Sequence, residues 1–488
     1  MSTNSKPLRA QHSKGTRVPT GGISPVGAPP NAIRRVWEPN LTRRRFLAAS
    51  AGTFAAVAAG TVPVYGNAGR KAGKLAVLGG QPLRAKPFPR WPVWDPAAEE
   101  SVLGVLRSGK WFRGSGNTVS TFEEKYAALL GAKGCVCTVN GTNALLTALH
   151  VLDIGVGDEV IVSPYTFIAT YNVVLNSVAL PVFADTDPET FLINPDKIEE
   201  KITANTRAIL PVHILGLPAN MDKINAVAKK HNLKVIEDAC QAWLAEWKGK
   251  KCGTLGDLGC FSFQESKHLP CGEGGAVVGN DEALMDYCRS FHNCGRPCGS
   301  IKATSGYPIV GTNRRMTEYQ AAILLNQIQR LEADTVKRVE NANYLTSRIK
   351  DIPGIVPHKL YEGATRAVYH LYPFRYQKEH FNGLPRSRFL AALSAEGIPC
   401  SGGYGPQYRD GLIEAALNSK NFKRAFPKER LDRYRQELHY PGNEQLCEEA
   451  VWFTQNMLLG TRSDMDDIAN AITKVYENRD ELAKSQKA

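Results

Sequence analysis

Residues 261–278 read FSFQESKHLPCGEGGAVV. An aromatic run, one lysine (Lys267), a glycine turn and a second apolar run follow one another. Short apolar runs bounded by turn residues read as buried strands, here Gly259 to Phe263 and Gly275 to Val278, with the lysine just past the carboxyl end of the first. Upstream the pattern recurs. Glu159 to Ser163, Ala179 to Ala184, Ala208 to His213 and Lys234 to Ile236 alternate with helix-like stretches such as Ala144 to Leu152 and Met221 to Lys230. Such alternation predicts an α/β fold whose central sheet is mostly parallel and covered on both faces. Amphipathic helices are expected before it, at Ala97 to Ser108 and Val119 to Gly131. Beyond Met316 a long helical stretch runs towards Ile349 into a smaller α+β C-terminal region ending in Asp464 to Glu477. The expected division is a leader and linker over 1–72, a large domain with its N-terminal segment over 73–325 and a small domain over 326–488.

With 488 residues, 43% of them hydrophobic, the chain can bury a large core. The net charge of +13 would suggest a nucleic-acid partner if it were spread over the fold. It sits instead in residues 1–73, which carry eleven Lys or Arg against the single acid Glu38, so nucleic acid is excluded as a partner. Within that leader Thr42-Arg43-Arg44-Arg45-Phe46-Leu47 precedes a mildly apolar run from Ala48 to Tyr65 and resembles a twin-arginine export signal. The resemblance implies passage of a folded, cofactor-loaded protein through the twin-arginine translocase to the periplasm or cell envelope. An uncleaved anchor, or a basic tail on a cytoplasmic protein, is the alternative. The 11 cysteines show no zinc-ligand spacing and read as small buried hydrophobes; no metal site is expected.

In open α/β sheets ligands gather at the carboxyl ends of the strands. Asn140-Gly141-Thr142-Asn143-Ala144 opens a helix there and offers backbone N–H groups and a hydroxyl to an anion. Pro164-Tyr165-Thr166-Phe167 brings aromatic rings, Glu237-Asp238 a carboxylate, and Ser262 and Lys267 complete the set. One cofactor uses a phosphate cradle, a stacking ring, a carboxylate and a lysine together. Pyridoxal 5'-phosphate has an aldehyde that a lysine traps as a Schiff base, and its ring nitrogen needs an acidic partner to act as an electron sink.

Order and local sequence over residues 78 to 478 resemble the DegT/DnrJ/EryC1/StrS aminotransferases, fold-type I enzymes dependent on pyridoxal phosphate. The resemblance makes Lys267 the Schiff-base lysine and Asp238, in VIEDACQA, the carboxylate that pairs with the pyridinium. It places Gln241 near the ring hydroxyl, Phe167 on the ring face, and Gly141, Thr142 and Ser262 on the phosphate. Asn313, in GTNRRMTEYQAAI, matches an asparagine that reaches the phosphate from a neighbouring subunit, which implies a homodimer with shared active sites. His213 to Met221, HILGLPANM, is a further family signature with an expected structural role. Family members with histidine at position 267 deoxygenate sugars, whereas lysine implies transamination, with glutamine or glutamate as amino donor. Trp91-Pro92-Val93-Trp94, Asn293 to Pro297 and Gly403-Tyr404-Gly405-Pro406 resemble the branch acting on keto-cyclitols such as scyllo-inosose or making 3-amino-5-hydroxybenzoate. A nucleotide-linked keto-sugar acceptor, or a non-catalytic relative that keeps the cofactor for sensing or binding, is the alternative. Tyr165, Arg296, His370 and Tyr404 are candidate substrate contacts. A nicotinamide enzyme is disfavoured, because Gly114-Ser115-Gly116-Asn117-Thr118-Val119 lacks the third glycine and a preceding strand.

Overall fold

The computed structural model describes residues 73–485, so the twin-arginine stretch lies outside the described residues. The central sheet is built from β1 (Gly134–Thr138), β2 (Glu159–Val162), β3 (Leu180–Phe183), β4 (Thr206–Leu210) and β5 (Lys234–Asp238). After a small hairpin of β6 (Glu246–Trp247) and β7 (Lys250–Lys251) it continues with β8 (Leu258–Ser262) and β9 (Gly275–Gly279). The strand order is β1-β9-β8-β5-β4-β2-β3. Pairing is parallel from β3 to β8, and β9 runs antiparallel to both β8 and β1. Every residue of β2, β3, β8 and β9 is buried, as expected of strands covered on both faces rather than alternating with water.

The expected elements form with small shifts at their ends. The strand expected over Ala208 to His213 stops at Leu210, because Pro211 has no N–H to give a ladder. The chain still runs alongside β5 there: Pro211 O accepts from Asp238 N at 2.9 Å, and His213 N donates to Asp238 O at 3.0 Å. That strand in turn extends to Asp238, two residues further than its apolar run.

A helix over Glu318–Ile349 begins in a capping box of Thr317 and Gln320 and runs through the expected boundary at 325/326. Beyond it β10 (Ile355–Pro357), β12 (Leu371–Tyr376) and β13 (Ala450–Thr454) form an antiparallel sheet, and β11 (Ala364–Arg366) pairs with β6. Arg84 of the N-terminal segment is pinned to the helix Arg462–Glu477 through Asp464 at 2.8 Å and Asp467 at 2.6 Å. All eleven cysteines are free thiols, most of them buried.

Candidate active site

Successive side chains on a strand point to opposite faces, and the last two residues of β5 use both. Glu237 is turned into the protein and fully buried. Its carboxylate accepts from the backbone N–H groups of Gly253 (2.7 Å), Leu255 (2.6 Å) and Gly256 (2.7 Å). His213 completes the set: Ala219 N donates to its Nδ1 at 3.0 Å, which assigns the proton to Nε2, 2.8 Å from Glu237. The His213 to Met221 signature is therefore an anchor for the loop after β4, as expected from its sequence.

Asp238 faces the other way. Its Oδ2 accepts from the Thr170 hydroxyl at 2.9 Å and its Oδ1 from Cys240 N at 3.1 Å, which fixes the carboxylate while leaving acceptor capacity on both oxygens. Gln241, one turn on, accepts from Leu215 N at 2.8 Å and donates to the Tyr404 hydroxyl at 3.2 Å. Leu215 holds φ at 62°, so this bond secures a left-handed residue beside the site.

The helix Gly141–Val151 starts at the end of β1, capped by Asn140, whose Oδ1 accepts from Asn143 N at 2.9 Å. The N–H groups of Gly141 and Thr142 keep no partner among the described residues. A Cβ on Gly141 would stand 2.8 Å from Ser262 Cβ and 3.0 Å from Cys240 Sγ, so only glycine lets the turn approach β8 this closely. Ser262 closes β8 and accepts from Gln264 N at 3.3 Å, leaving its own proton to give. Free amides at a helix N-terminus with two hydroxyls beside them suit a phosphate.

Lys267 lies in the loop between β8 and β9, its carbonyl held by Trp91 Nε1 at 3.1 Å. Burial lowers the pKa of its amine, while Cys240 and Asp238 pull against that shift. The amine is therefore neutral more often than a surface lysine's at any given pH. Nζ is 3.4 Å from Nε2 of His370, whose own pKa is pressed well below the usual range by burial, by Lys267 and by Arg338. Phe167 is 54% exposed, an open ring face at the end of the β2 loop.

Seven of the eight site residues expected from sequence thus sit on the ends of β1, β2, β5 and β8 or on the loops that leave them. Asn313 is different. It is exposed and its side chain accepts from Arg315 N at 3.4 Å, with no bond to the other seven. Of the candidate substrate contacts, Tyr404 bonds Gln241, Tyr165 packs on Tyr404 with ring centroids 5.4 Å apart, and His370 meets Lys267. Arg296 stays on the surface, bonded to Asn293 at 3.1 Å. Sequence reasoning did not single out Thr170, Trp243, His268 or Arg338. Thr170 alone had a signal, four residues past Thr166 on the helix that follows β2.

Amides for a phosphate, a held carboxylate and a buried amine with lowered pKa define the site of a pyridoxal-phosphate enzyme of fold type I. The comparisons agree. Residues 94–452 match the model of the DegT/DnrJ/EryC1/StrS aminotransferase family. The L-glutamine:2-deoxy-scyllo-inosose aminotransferase of Streptoalloteichus tenebrarius is 35% identical over 421 residues, covering 84% of this chain and 99% of the relative. The enzyme of that name from Streptomyces kanamyceticus is 35% identical over 423 residues, covering 84% and 98%. Among solved structures, 3-amino-5-hydroxybenzoic acid synthase superposes with a TM-score of 0.71 at 30% identity, covering 82% of this chain and all of that one. An aminotransferase from Psychrobacter cryohalolentis gives 0.70 at 32%, covering 80% and 99%. The chain belongs to the DegT/DnrJ/EryC1/StrS aminotransferase family, enzymes that work with pyridoxal phosphate.

Proposed function

We propose that the enzyme moves the amino group of glutamine or glutamate to a ketone on a cyclitol. The observation that carries this is the buried Lys267 amine, set between Asp238 and a neutral His370. The names of the cyclitol aminotransferases it resembles support the choice of donor and acceptor. Bound pyridoxal phosphate supplies the carbonyl that receives the amine and the ring that delocalises the electron pair. Gly141, Thr142 and Ser262 would hold its phosphate, Phe167 its ring face, and Asp238 the proton on its ring nitrogen. Gln241 is placed for the ring hydroxyl. Lys267, whose amine is held less basic by burial, takes and returns the proton at the carbon that bears the amine. His370, a neutral acceptor 3.4 Å away, steadies that amine while it is protonated. Incubation with glutamine labelled with ¹⁵N at the α-amine and 2-deoxy-scyllo-inosose tests the reading. It predicts a labelled amino-cyclitol by mass spectrometry. Labelled product from a nucleotide-linked keto-sugar alone contradicts it.

The active enzyme is read as a homodimer whose partner supplies Asn313. Trp111 (52%) and Phe112 (49%) are large exposed aromatics, and Arg315, two residues from Asn313, lies 5.1 Å over the Phe112 ring; exposed rings of this size suit a protein interface. The mass in solution checks this. Residues 1–72 are read as an export leader on the strength of Thr42 to Leu47, with the twin-arginine translocase as transient partner. Full-length chain found only in the cytoplasm after cell fractionation contradicts that reading.

A further inference from the structure

Trp91 belongs to the N-terminal segment, outside the central sheet, yet its side chain reaches the loop that carries Lys267. Its indole Nε1 donates to two carbonyls at once, Glu265 O and Lys267 O, each at 3.1 Å. Neither carbonyl accepts another hydrogen bond among the described residues. The amide side of the same loop is closed from within: Lys267 N donates to Gln264 O at 2.9 Å, Glu265 N to Gly272 O at 2.9 Å and Cys271 N to Phe263 O at 2.8 Å. Glu265 and Ser266 are exposed, so without the indole water would take the outward carbonyls and leave the turn free to tilt. One N–H serves two carbonyls two residues apart only while the turn holds them converged, so the indole fixes the conformation of the turn as well as its place.

The segment that presents Trp91 is held on both sides. Asn456 Nδ2 donates to Pro89 O at 2.7 Å, and Gln327 Nε2 to Val93 O at 2.8 Å. The ring lies under two guanidinium groups of the helix Glu318–Ile349, Arg338 at 5.1 Å and Arg330 at 5.8 Å, which grip an indole by its face. Arg330 is fixed in turn by Asp334 at 2.7 Å, and Arg338 by Gln455 at 2.9 Å. Trp91 thus passes the rigidity of the long helix to a loop that has little of its own. What that loop must deliver is the Lys267 amine, 3.4 Å from His370 Nε2 and within electrostatic reach of Cys240 and Asp238. The lysine stem is long and flexible, so a small tilt of its backbone becomes a large displacement of Nζ. A displacement of about 1 Å at a reacting group is enough to cost about 100-fold in rate.

We propose that Trp91 is a positioning residue for the amino transfer: its N–H clamps the Glu265 and Lys267 carbonyls and so aims the Lys267 amine at the reacting carbon. The role rests on the transaminase reading above.

Two variants divide the indole. Trp91→Phe keeps a flat ring under the guanidinium groups and loses the N–H, whereas Trp91→His loses the six-membered ring and keeps an N–H at the matching ring position. Both are compared with wild type at about pH 8, where an imidazole is neutral. The full chain loaded with pyridoxal phosphate is mixed with glutamine alone, and the loss of the visible band of the lysine-bound cofactor is followed as a single turnover. Trp91→Phe is expected to lower the limiting rate about tenfold, the worth of one hydrogen bond, with half-saturating glutamine unchanged. Trp91→His stays within about threefold of wild type. In the cofactor-free chain, amide hydrogen exchange over residues 263–274 quickens about tenfold in Trp91→Phe and stays as in wild type in Trp91→His. Equal limiting rates in Trp91→Phe and wild type overturn the proposal. So does a Trp91→His rate at or below that of Trp91→Phe, which assigns the effect to the ring, and so does a loss that shows only as weaker glutamine saturation. If Trp91→Phe does not fold, Trp91→His decides alone: a rate near wild type supports the clamp and a fall of about tenfold overturns it. Unchanged exchange over residues 263–274 in Trp91→Phe overturns the clamp and leaves the transaminase reading standing, whereas a wild-type chain that takes up no cofactor overturns that reading and the positioning role with it.

Discussion

Glu237 and Asp238 are neighbours on one strand, both nearly without exposure, and they do opposite work. Glu237 meets three backbone N–H groups and His213, and nothing of it remains for a ligand. Asp238 is held by one hydroxyl and one N–H, enough to orient it and too little to saturate it. The pleat alone separates the roles, because adjacent residues must face opposite sides of the sheet. A carboxylate with all its partners is part of the fold, whereas one with partners missing is part of the chemistry.

The largest effect that would break this contrast is on the chemical side. Lys267→Ala is expected to lower transamination by about 10³-fold or more while leaving the melting temperature of the cofactor-free chain close to wild type, as calorimetry would show. Asp238→Asn should lower turnover by about 100-fold with little change in that melting temperature. Glu237→Gln should do the reverse, losing about 2–4 kcal/mol of stability in urea unfolding, because the backbone donors of the next loop lose their charged acceptor. If the two β5 variants behaved alike, the division of faces would fail. Thr170→Val sharpens the comparison. Removing one of Asp238's two holds should cost about tenfold in turnover, read as a fall in kcat at unchanged KM for the acceptor.

The smallest effect concerns a carboxylate far from the site. Asp464 is pushed up by burial but pulled further down, to about 2, by the N–H and hydroxyl of Thr461 and by Arg84. Its folded pKa is depressed, so its stabilisation is present above the unfolded value of about 4 and lost as pH falls towards 2. Asp464→Asn should therefore lower the melting temperature at pH 7 and make little difference near pH 2.

The β5 contrast also marks what could be read from sequence. The strand ends carrying Gly141, Asp238, Ser262 and Lys267 were visible because buried parallel strands are short, wholly apolar and punctuated by turn residues, and a charged group at such an end stands out. The family resemblance then gave each residue its role. Thr170 showed only through its spacing from Thr166, and Trp243 and His268 were invisible, since each resembles an ordinary loop residue until distant segments meet. Arg338 is the extreme case. On a 32-residue helix rich in charge it reads as one more solvated arginine, and only packing against Trp91 and His268 from elsewhere in the chain makes it a buried cation. Asn313 was legible only through the resemblance, and within one chain its side chain reaches no further than Arg315.

The most direct test of the central claim is the absorption spectrum of the full chain and of Lys267→Ala, each with added pyridoxal phosphate, before and after glutamine. The account predicts a shifted visible band in wild type, absent from Lys267→Ala and bleached by glutamine. An identical band in both proteins, or none in wild type, would contradict it.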